Sequence, residues 1–172
     1  MKKIILLGYM GSGKSTIARL LHQKTGIKLV DTDKIIEENA QLSIPEIFAQ
    51  KGEIHFRKIE HAIFKELLAS DGDLIISLGG GTPCYANNHE LLIGEDRLSV
   101  YLKASINTIY NRISVNPQER PLIDGKSKSE MKEFIAKHLF DRSYYYNHSM
   151  YKITTDDKSP EEIVSEIQQL LA

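Results

Sequence analysis

Cysteine is nearly missing from this chain: Cys84 is the only one in 172 residues. One thiol cannot close an internal disulfide, which excludes a stapled secreted scaffold and points to a reducing compartment. Charge of one sign is missing too. There are 22 basic and 23 acidic side chains and a net charge of -1. Nucleic acid and anionic membrane surfaces call for a strong basic excess, so neither is expected as a partner. A local basic pocket for a small anion is still compatible with that balance. Long apolar runs are absent as well, and nothing approaches the ~20 residues of a membrane span. Met1-Lys2-Lys3 followed by Ile4-Ile5-Leu6-Leu7 has the order of a secretion signal. The run stops at Gly8, however, short of the roughly 7–15 apolar residues a signal core needs. The expected location is therefore the cytoplasm. The 6 histidines lack zinc-like spacing, and there is no repeat or low-complexity tract. What is left is an ordinary globular composition, 41% hydrophobic and 26% charged. Its length predicts a single domain over residues 1–172, able to bury about two-thirds of its unfolded surface without staples.

What is present begins at Gly8. The stretch Gly8-Tyr9-Met10-Gly11-Ser12-Gly13-Lys14-Ser15 follows the first apolar run and precedes Thr16-Ile17-Ala18-Arg19-Leu20-Leu21, which reads as a helix. Strand, G-x-x-x-x-G-K-[ST], helix is the arrangement of a phosphate-binding loop. Glycines let the backbone turn and bring its N–H groups close to an anion. The unpaired N–H groups of a helix start, and its dipole, favour negative charge there. Gly11, Ser12, Gly13, Lys14, Ser15 and Thr16 are the nucleotide-binding candidates. Lys14 would reach the β- and γ-phosphates, and the Ser15 hydroxyl would hold Mg²⁺.

Along the chain, strands alternate with helices. Residues 3–7 form an apolar run without alternation, as in a strand covered on both faces. Ile27–Val30 reads as a second strand, Leu74–Leu78 as a third, Leu98–Leu102 as a fourth and Tyr151–Thr154 as a last short one. Between Lys34 and Leu68 apolar residues recur at helical spacing, broken by Pro45 and Gly52 into at least three pieces, with Ser43 as an N-cap. A short helix is expected near Asn88–Leu92 and longer ones over residues 105–114 and from Ser129, as cap, to Tyr146. Ser159 and Pro160 open a final helix. Val115 to Lys128 has no sustained period and reads as a plain surface loop or a mobile lid. This alternation implies an α/β fold, a parallel sheet with helices on both faces, in which ligands gather at the carboxyl ends of the strands. Three features fall at such ends: the phosphate loop, the pair Asp31/Asp33, and Gly79-Gly80-Gly81.

Each has more than one reading. Asp31 and Asp33 could serve a metal, a sugar-like hydroxyl or a proton, or could cap the next helix. The triple glycine fits a ligand lying close against the backbone, or a tight surface turn. Arg57, Arg112, Arg120 and Arg142 stand near these features or in the candidate lid, and guanidinium forks match carboxylate and phosphate oxygens.

Taken together, the residues resemble the shikimate kinases over nearly the whole chain. The match runs through G-Y-M-G-S-G-K-S (Gly8–Ser15), D-T-D (Asp31–Asp33), I-F…K-G-E-x-x-F-R-x-x-E (Ile47–Glu60), S-L-G-G-G (Ser77–Gly81), R-P-L (Arg120–Leu122) and D-R-x-x-Y-Y (Asp141–Tyr146). The resemblance implies a three-layer fold of the P-loop NTPase type, with five parallel strands in the order 2-3-1-4-5. It also implies a substrate-binding helical segment over about residues 33–61 and a mobile lid over about residues 115–128. The implied activity is ATP-dependent phosphorylation of the 3-hydroxyl of shikimate, with ATP and Mg²⁺, on the route to chorismate and aromatic amino acids.

The roles implied are specific. Asp31 would stand near the Mg²⁺ shell with Ser15. Asp33 would hold the ring hydroxyls as candidate base. Arg57 and Arg142 would pair with the shikimate carboxylate. Gly79, Gly80 and Gly81 would line the pocket, Phe48 and Phe56 would wall it, Arg120 would come from the lid, and Arg112 would lie near the adenine. The small-molecule partner is expected to meet a monomer.

The alternative is another small-molecule kinase on the same core, for gluconate or a nucleoside monophosphate; Phe56-Arg57-x-x-Glu60 and the triple glycine favour shikimate. A nucleotide-controlled switch of the guanine-reading kind would carry N-K-x-D and D-x-x-G segments, and the sequence has neither.

Overall fold

The computed structural model describes residues 2–115 and 125–172. Five strands, β1 (Lys3–Leu7), β2 (Lys28–Asp31), β3 (Leu74–Ser77), β4 (Arg97–Lys103) and β5 (Tyr151–Thr154), form one sheet in the order β2-β3-β1-β4-β5. Every pairing is parallel. The expected order and direction therefore hold, with strand ends displaced by a residue or so. The helices are α1 (Lys14–Thr25), α2 (Thr32–Ala40), α3 (Ile44–Ala69), α4 (Ile106–Ser114), α5 (Lys128–Tyr146) and α6 (Pro160–Leu171).

The unbroken apolar run of β1 is buried from end to end because the two sides of the sheet are both covered. Ile4 and Leu6 pack with Ile75 and Val100 under α1 and α6, through Ile17, Leu21, Val164 and Ile167. Ile5 and Leu7 face the other way, onto Phe64 of α3, Ile109 of α4 and Ile135 of α5. A third, smaller cluster of Ile36, Ile47, Phe56 and Ile63 joins α2 to α3. The helical segment of residues 33–61 thus carries its own core, standing on the sheet but partly independent of it.

One charge sits on the central strand. Lys3 is 2% exposed, a costly place for an ammonium unless its donors are used. Its Nζ donates to Ser70 O at 2.6 Å, Ser70 Oγ at 3.1 Å and Gly72 O at 2.7 Å, closing the carbonyl end of α3, where the helix dipole favours a cation.

The helix boundaries follow local chemistry. Ser43 and Ser159 cap α3 and α6 as expected, each in a reciprocal capping box with Glu46 or Glu162. Gly52, at φ 81° and ψ 167°, breaks α3, so Pro45 and Gly52 do separate three helical pieces after β2. Two expectations change. The cap of α5 is Ser127, whose hydroxyl accepts from Glu130 N while Glu130 Oε2 accepts from Ser127 N, not Ser129. Ser127 wins because the glutamate three residues on completes the box. The short helix at Asn88–Leu92 is of the 3₁₀ type. The candidate lid falls largely on residues 116–124, including Arg120, outside the described residues. Among the described residues, no helix is long and apolar enough to cross a membrane.

Candidate active site

The carboxyl ends of β1, β2 and β3 open onto one cleft of about 710 Å³. Every described residue expected at the site lines it except Ser12, a buried residue of the phosphate loop, 1% exposed.

At one end of the cleft is the start of α1. Gly13 occupies the N-cap position with φ 96° and ψ 9°, and no side chain caps the helix. The first-turn N–H groups are left to an anion, and the glycine adopts a left-handed conformation that other residues avoid. Lys14 Nζ donates to two carbonyls of its own loop, Gly8 O at 2.6 Å and Tyr9 O at 3.2 Å. Arg112 reaches across from α4 and donates to Gly11 O at 3.0 Å, to Thr155 Oγ1 at 3.3 Å and to Thr155 O at 3.3 Å. It thereby straps the phosphate loop to the segment after β5. This donor set fits a nucleotide polyphosphate. Ser15 and Asp31 share the cleft with it. Among the described residues, no group of three or more His, Cys, Asp or Glu could hold a metal unaided. Mg²⁺ binds through one or two protein oxygens plus phosphates and water, and Ser15 and Asp31 could supply such oxygens.

In the middle stand the two aspartates. Asp31 Oδ1 accepts from Asp33 N at 3.0 Å and Lys34 N at 3.3 Å, so it caps α2. Asp31 thus realises the capping reading, and both aspartates also line the cleft. Asp33 lies in the first turn of α2. Its pKa is raised to about 6, first by burial and then by the negative charges of Asp31 and Glu60, with Lys14 pulling the other way. Thr32 stitches β2 to the glycine loop, donating to Ser77 O at 3.3 Å and accepting from Gly79 N at 3.0 Å.

At the far end are two arginines on two different helices. Arg57 of α3 donates to Glu60 Oε2 at 2.9 Å and stands over the rings of Phe56 and Tyr85, at 5.2 and 5.7 Å from their centroids. A Cβ on Gly81 would lie 2.6 Å from both terminal nitrogens of Arg57, so any larger residue there would push the guanidinium out of its present place. Arg142 of α5 lies 5.5 Å above the Tyr9 ring. Burial acts to lower its pKa, but Tyr146, Cys84 and Tyr9 together outweigh that, and the guanidinium is raised above its ordinary value. Tyr146 in turn donates to Gly80 O at 2.6 Å. Phe48 and Phe56, 4.7 Å apart, form an apolar wall. The triple glycine is a turn, closed by Thr82 N donating to Gly79 O at 3.1 Å, that lies in the cleft against both guanidinium groups.

Sequence reasoning assigned no role to Glu60 and Thr82. Glu60 is 1% exposed. Its two oxygens are taken by Arg57 and by Thr82 Oγ1, the latter at 2.6 Å. The signal for Glu60 was available, an acid three residues after an arginine on one helix. Thr82 carried none, because its partner is 22 residues away. Cys84, although near both arginines, has its thiol pushed up to about 11 by burial and is uncharged at neutral pH.

A helix start that no side chain caps, a carboxylate of raised pKa beside it and a pair of guanidinium groups beyond have the chemistry of a P-loop phosphotransferase for a small anionic acceptor. Comparison with known proteins narrows this. A family model described as shikimate kinase matches residues 10–172. A shikimate kinase of Flavobacterium johnsoniae is 59% identical over 172 residues, covering 100% of both chains. Among solved structures, shikimate kinase from Bacteroides thetaiotaomicron superposes with a TM-score of 0.90 at 30% identity, covering 99% of this chain and 98% of that one. A shikimate kinase from Acinetobacter baumannii in complex with shikimate gives 0.87 at 29% identity, covering 99% and 93%. The chain belongs to the shikimate kinase family, whose members use ATP with Mg²⁺.

Proposed function

We propose that the chain transfers the γ-phosphoryl group of ATP to the 3-hydroxyl of shikimate, giving shikimate 3-phosphate and ADP, with both substrates held in the one cleft. The observation that carries this is the convergence of Arg57 and Arg142 over Gly79–Gly81 in the same cavity as the phosphate loop, with Asp33 between. A small cyclic acid bearing hydroxyls needs a guanidinium pair for its carboxylate, a carboxylate for its hydroxyls and apolar walls for its ring. Arg57 and Arg142 take the first role, Asp33 the second, Phe48 and Phe56 the third.

Asp33 accepts the hydrogen bond of the attacking hydroxyl and, near pH 6 and above, is ionised to take its proton. Lys14 leaves its loop carbonyls for the phosphates, and the N–H groups of Gly11, Gly13 and the first turn of α1 hold the polyphosphate in line, while Ser12 N, donating to Tyr9 O, fixes the shape of the loop. Ser15, with Asp31 close by, would hold Mg²⁺, which would supply positive charge to neutralise the phosphates. Thr16 and Arg112 complete the nucleotide end. Arg120, of the R-P-L segment, supplies a further positive charge to the transferring group.

Residues 1–172 act as one kinase domain, as a monomer in the cytoplasm, without nucleic acid or membrane. The balanced charge and single cysteine support that reading.

Replacing either clamp residue tests it. Arg57→Ala or Arg142→Ala should raise KM for shikimate about 10- to 100-fold, as for loss of a charge-assisted hydrogen bond, and leave KM for ATP within about threefold. The assay is coupled ADP release with shikimate, gluconate and nucleoside monophosphates as acceptors. Turnover of gluconate or a nucleotide in place of shikimate, or unchanged shikimate kinetics in both variants, would refute the assignment.

A further inference from the structure

Tyr9 belongs to the phosphate loop, yet its side chain has no place at the phosphates. It is 1% exposed and packed in the core cluster with Ile135 and Tyr146 of α5. Its main chain serves the loop: the carbonyl accepts from Ser12 N at 3.1 Å and from Lys14 Nζ at 3.2 Å. Its ring serves another group, the guanidinium of Arg142, 5.5 Å from the centroid. The ring is itself fixed. The phenol oxygen lies 3.0 Å from Nδ1 of His138, one turn before Arg142 on α5. His138 is wedged between Tyr9, at 5.8 Å between ring centroids, and Phe134, at 4.3 Å.

Arg142 has to present its fork to a carboxylate from a site where few groups restrain it. Glu60 serves Arg57 in that way, through an ion pair. Arg142 has an uncharged substitute: the face of one tyrosine, Tyr9, and the phenol of another, Tyr146. An aromatic face attracts a cation through the ring quadrupole without competing for its hydrogen-bond donors, and the attraction is strongest where water is excluded. A carboxylate in that place would take up one of its donors, as Glu60 does at Arg57.

We propose that Tyr9 is a positioning residue for the acid clamp, its ring face holding the Arg142 guanidinium ready for the substrate carboxylate. This rests on the reading of Arg142 as a carboxylate ligand. It adds that a residue inside the nucleotide motif sets affinity for the other substrate.

The test compares Tyr9→Phe, Tyr9→Leu and a series with fluorinated phenylalanines at position 9, beside Arg142→Ala. Fluorination drains the ring's negative face while keeping its shape. Tyr9→Phe keeps the ring face and loses only the His138 contact, so KM for shikimate should rise less than in Tyr9→Leu. Tyr9→Leu should raise KM for shikimate about 5- to 30-fold, with kcat and KM for ATP within about twofold. Along the fluorinated series, KM for shikimate should climb stepwise while ADP affinity and thermal midpoint hold steady. A purely structural role would instead move the midpoint and both KM values together in Tyr9→Leu, with a flat fluorinated series. A flat series with Arg142→Ala still raising KM for shikimate overturns the role of Tyr9 alone. An unchanged KM for shikimate in Arg142→Ala overturns the reading beneath it.

Discussion

Lys14→Ala lowers kcat by about 10³-fold or more while the protein still folds and still binds shikimate within about threefold of the parent. The size of the effect follows from the position. Lys14 is the first residue of α1, and the ammonium rests on Gly8 O and Tyr9 O at the mouth of the phosphate loop. There it can swing to the β- and γ-phosphates without moving the backbone. In the transition state, charge spreads over the transferred group, and a cation held by the scaffold stabilises it at little reorganisation cost. Alanine is the best helix former, so α1 and its N-terminal N–H groups survive the change. Nucleotide affinity should weaken less than kcat, because the backbone cradle keeps most of its ground-state contacts. Steady-state ADP release and a thermal melt check both halves. Loss of kcat below about tenfold would mean that Lys14 is not at the reacting phosphates.

Asp33→Asn should cut kcat by about 10²- to 10⁴-fold, the range for removal of a general base, and should also make the folded protein more stable. The second effect comes from linkage. Asp33 titrates at about 6 in the fold against an ordinary 3.8, because burial and then Asp31 and Glu60 oppose its charge. A carboxyl whose folded pKa lies above its unfolded one destabilises the fold when ionised. That cost is absent below pH 3.8, grows as pH rises, and is complete above about pH 6. At pH 8 the gap corresponds to about 3 kcal/mol at most. Allowing for the water the open cleft admits, Asp33→Asn should gain about 1–3 kcal/mol in chemical denaturation. The gain should vanish near pH 4. In the parent enzyme, kcat/KM for shikimate should fall tenfold per pH unit below about 6 as the base is protonated. A variant that is slow but no more stable at pH 8 would show that Asp33 is not held at the expense of the fold.

Much of this site could be read in the sequence because its parts sit at strand ends. The phosphate loop, Asp31/Asp33 and Gly79–Gly81 each close an apolar run, and a parallel sheet brings such ends together whatever the loops do. Arg57 and Arg142 were harder. They lie on α3 and α5, 85 residues apart by number, and only family resemblance paired them. Their supports were harder still. Thr82 and Tyr9 act on residues far along the chain, through contacts with no periodic or local signature. Ser127 was missed as the cap of α5 for a different reason: Ser127 and Ser129 stand two residues apart, and only Glu130, three after Ser127, separates them.

A ternary complex with MgADP and shikimate, solved by crystallography, tests the central claim most directly. The shikimate carboxylate should lie within hydrogen-bond distance of both Arg57 and Arg142. The 3-hydroxyl should be on Asp33 and face the β-phosphate held by Lys14. Shikimate bound with its carboxylate away from both arginines, or outside the cleft that holds Lys14 and Asp33, would contradict the account.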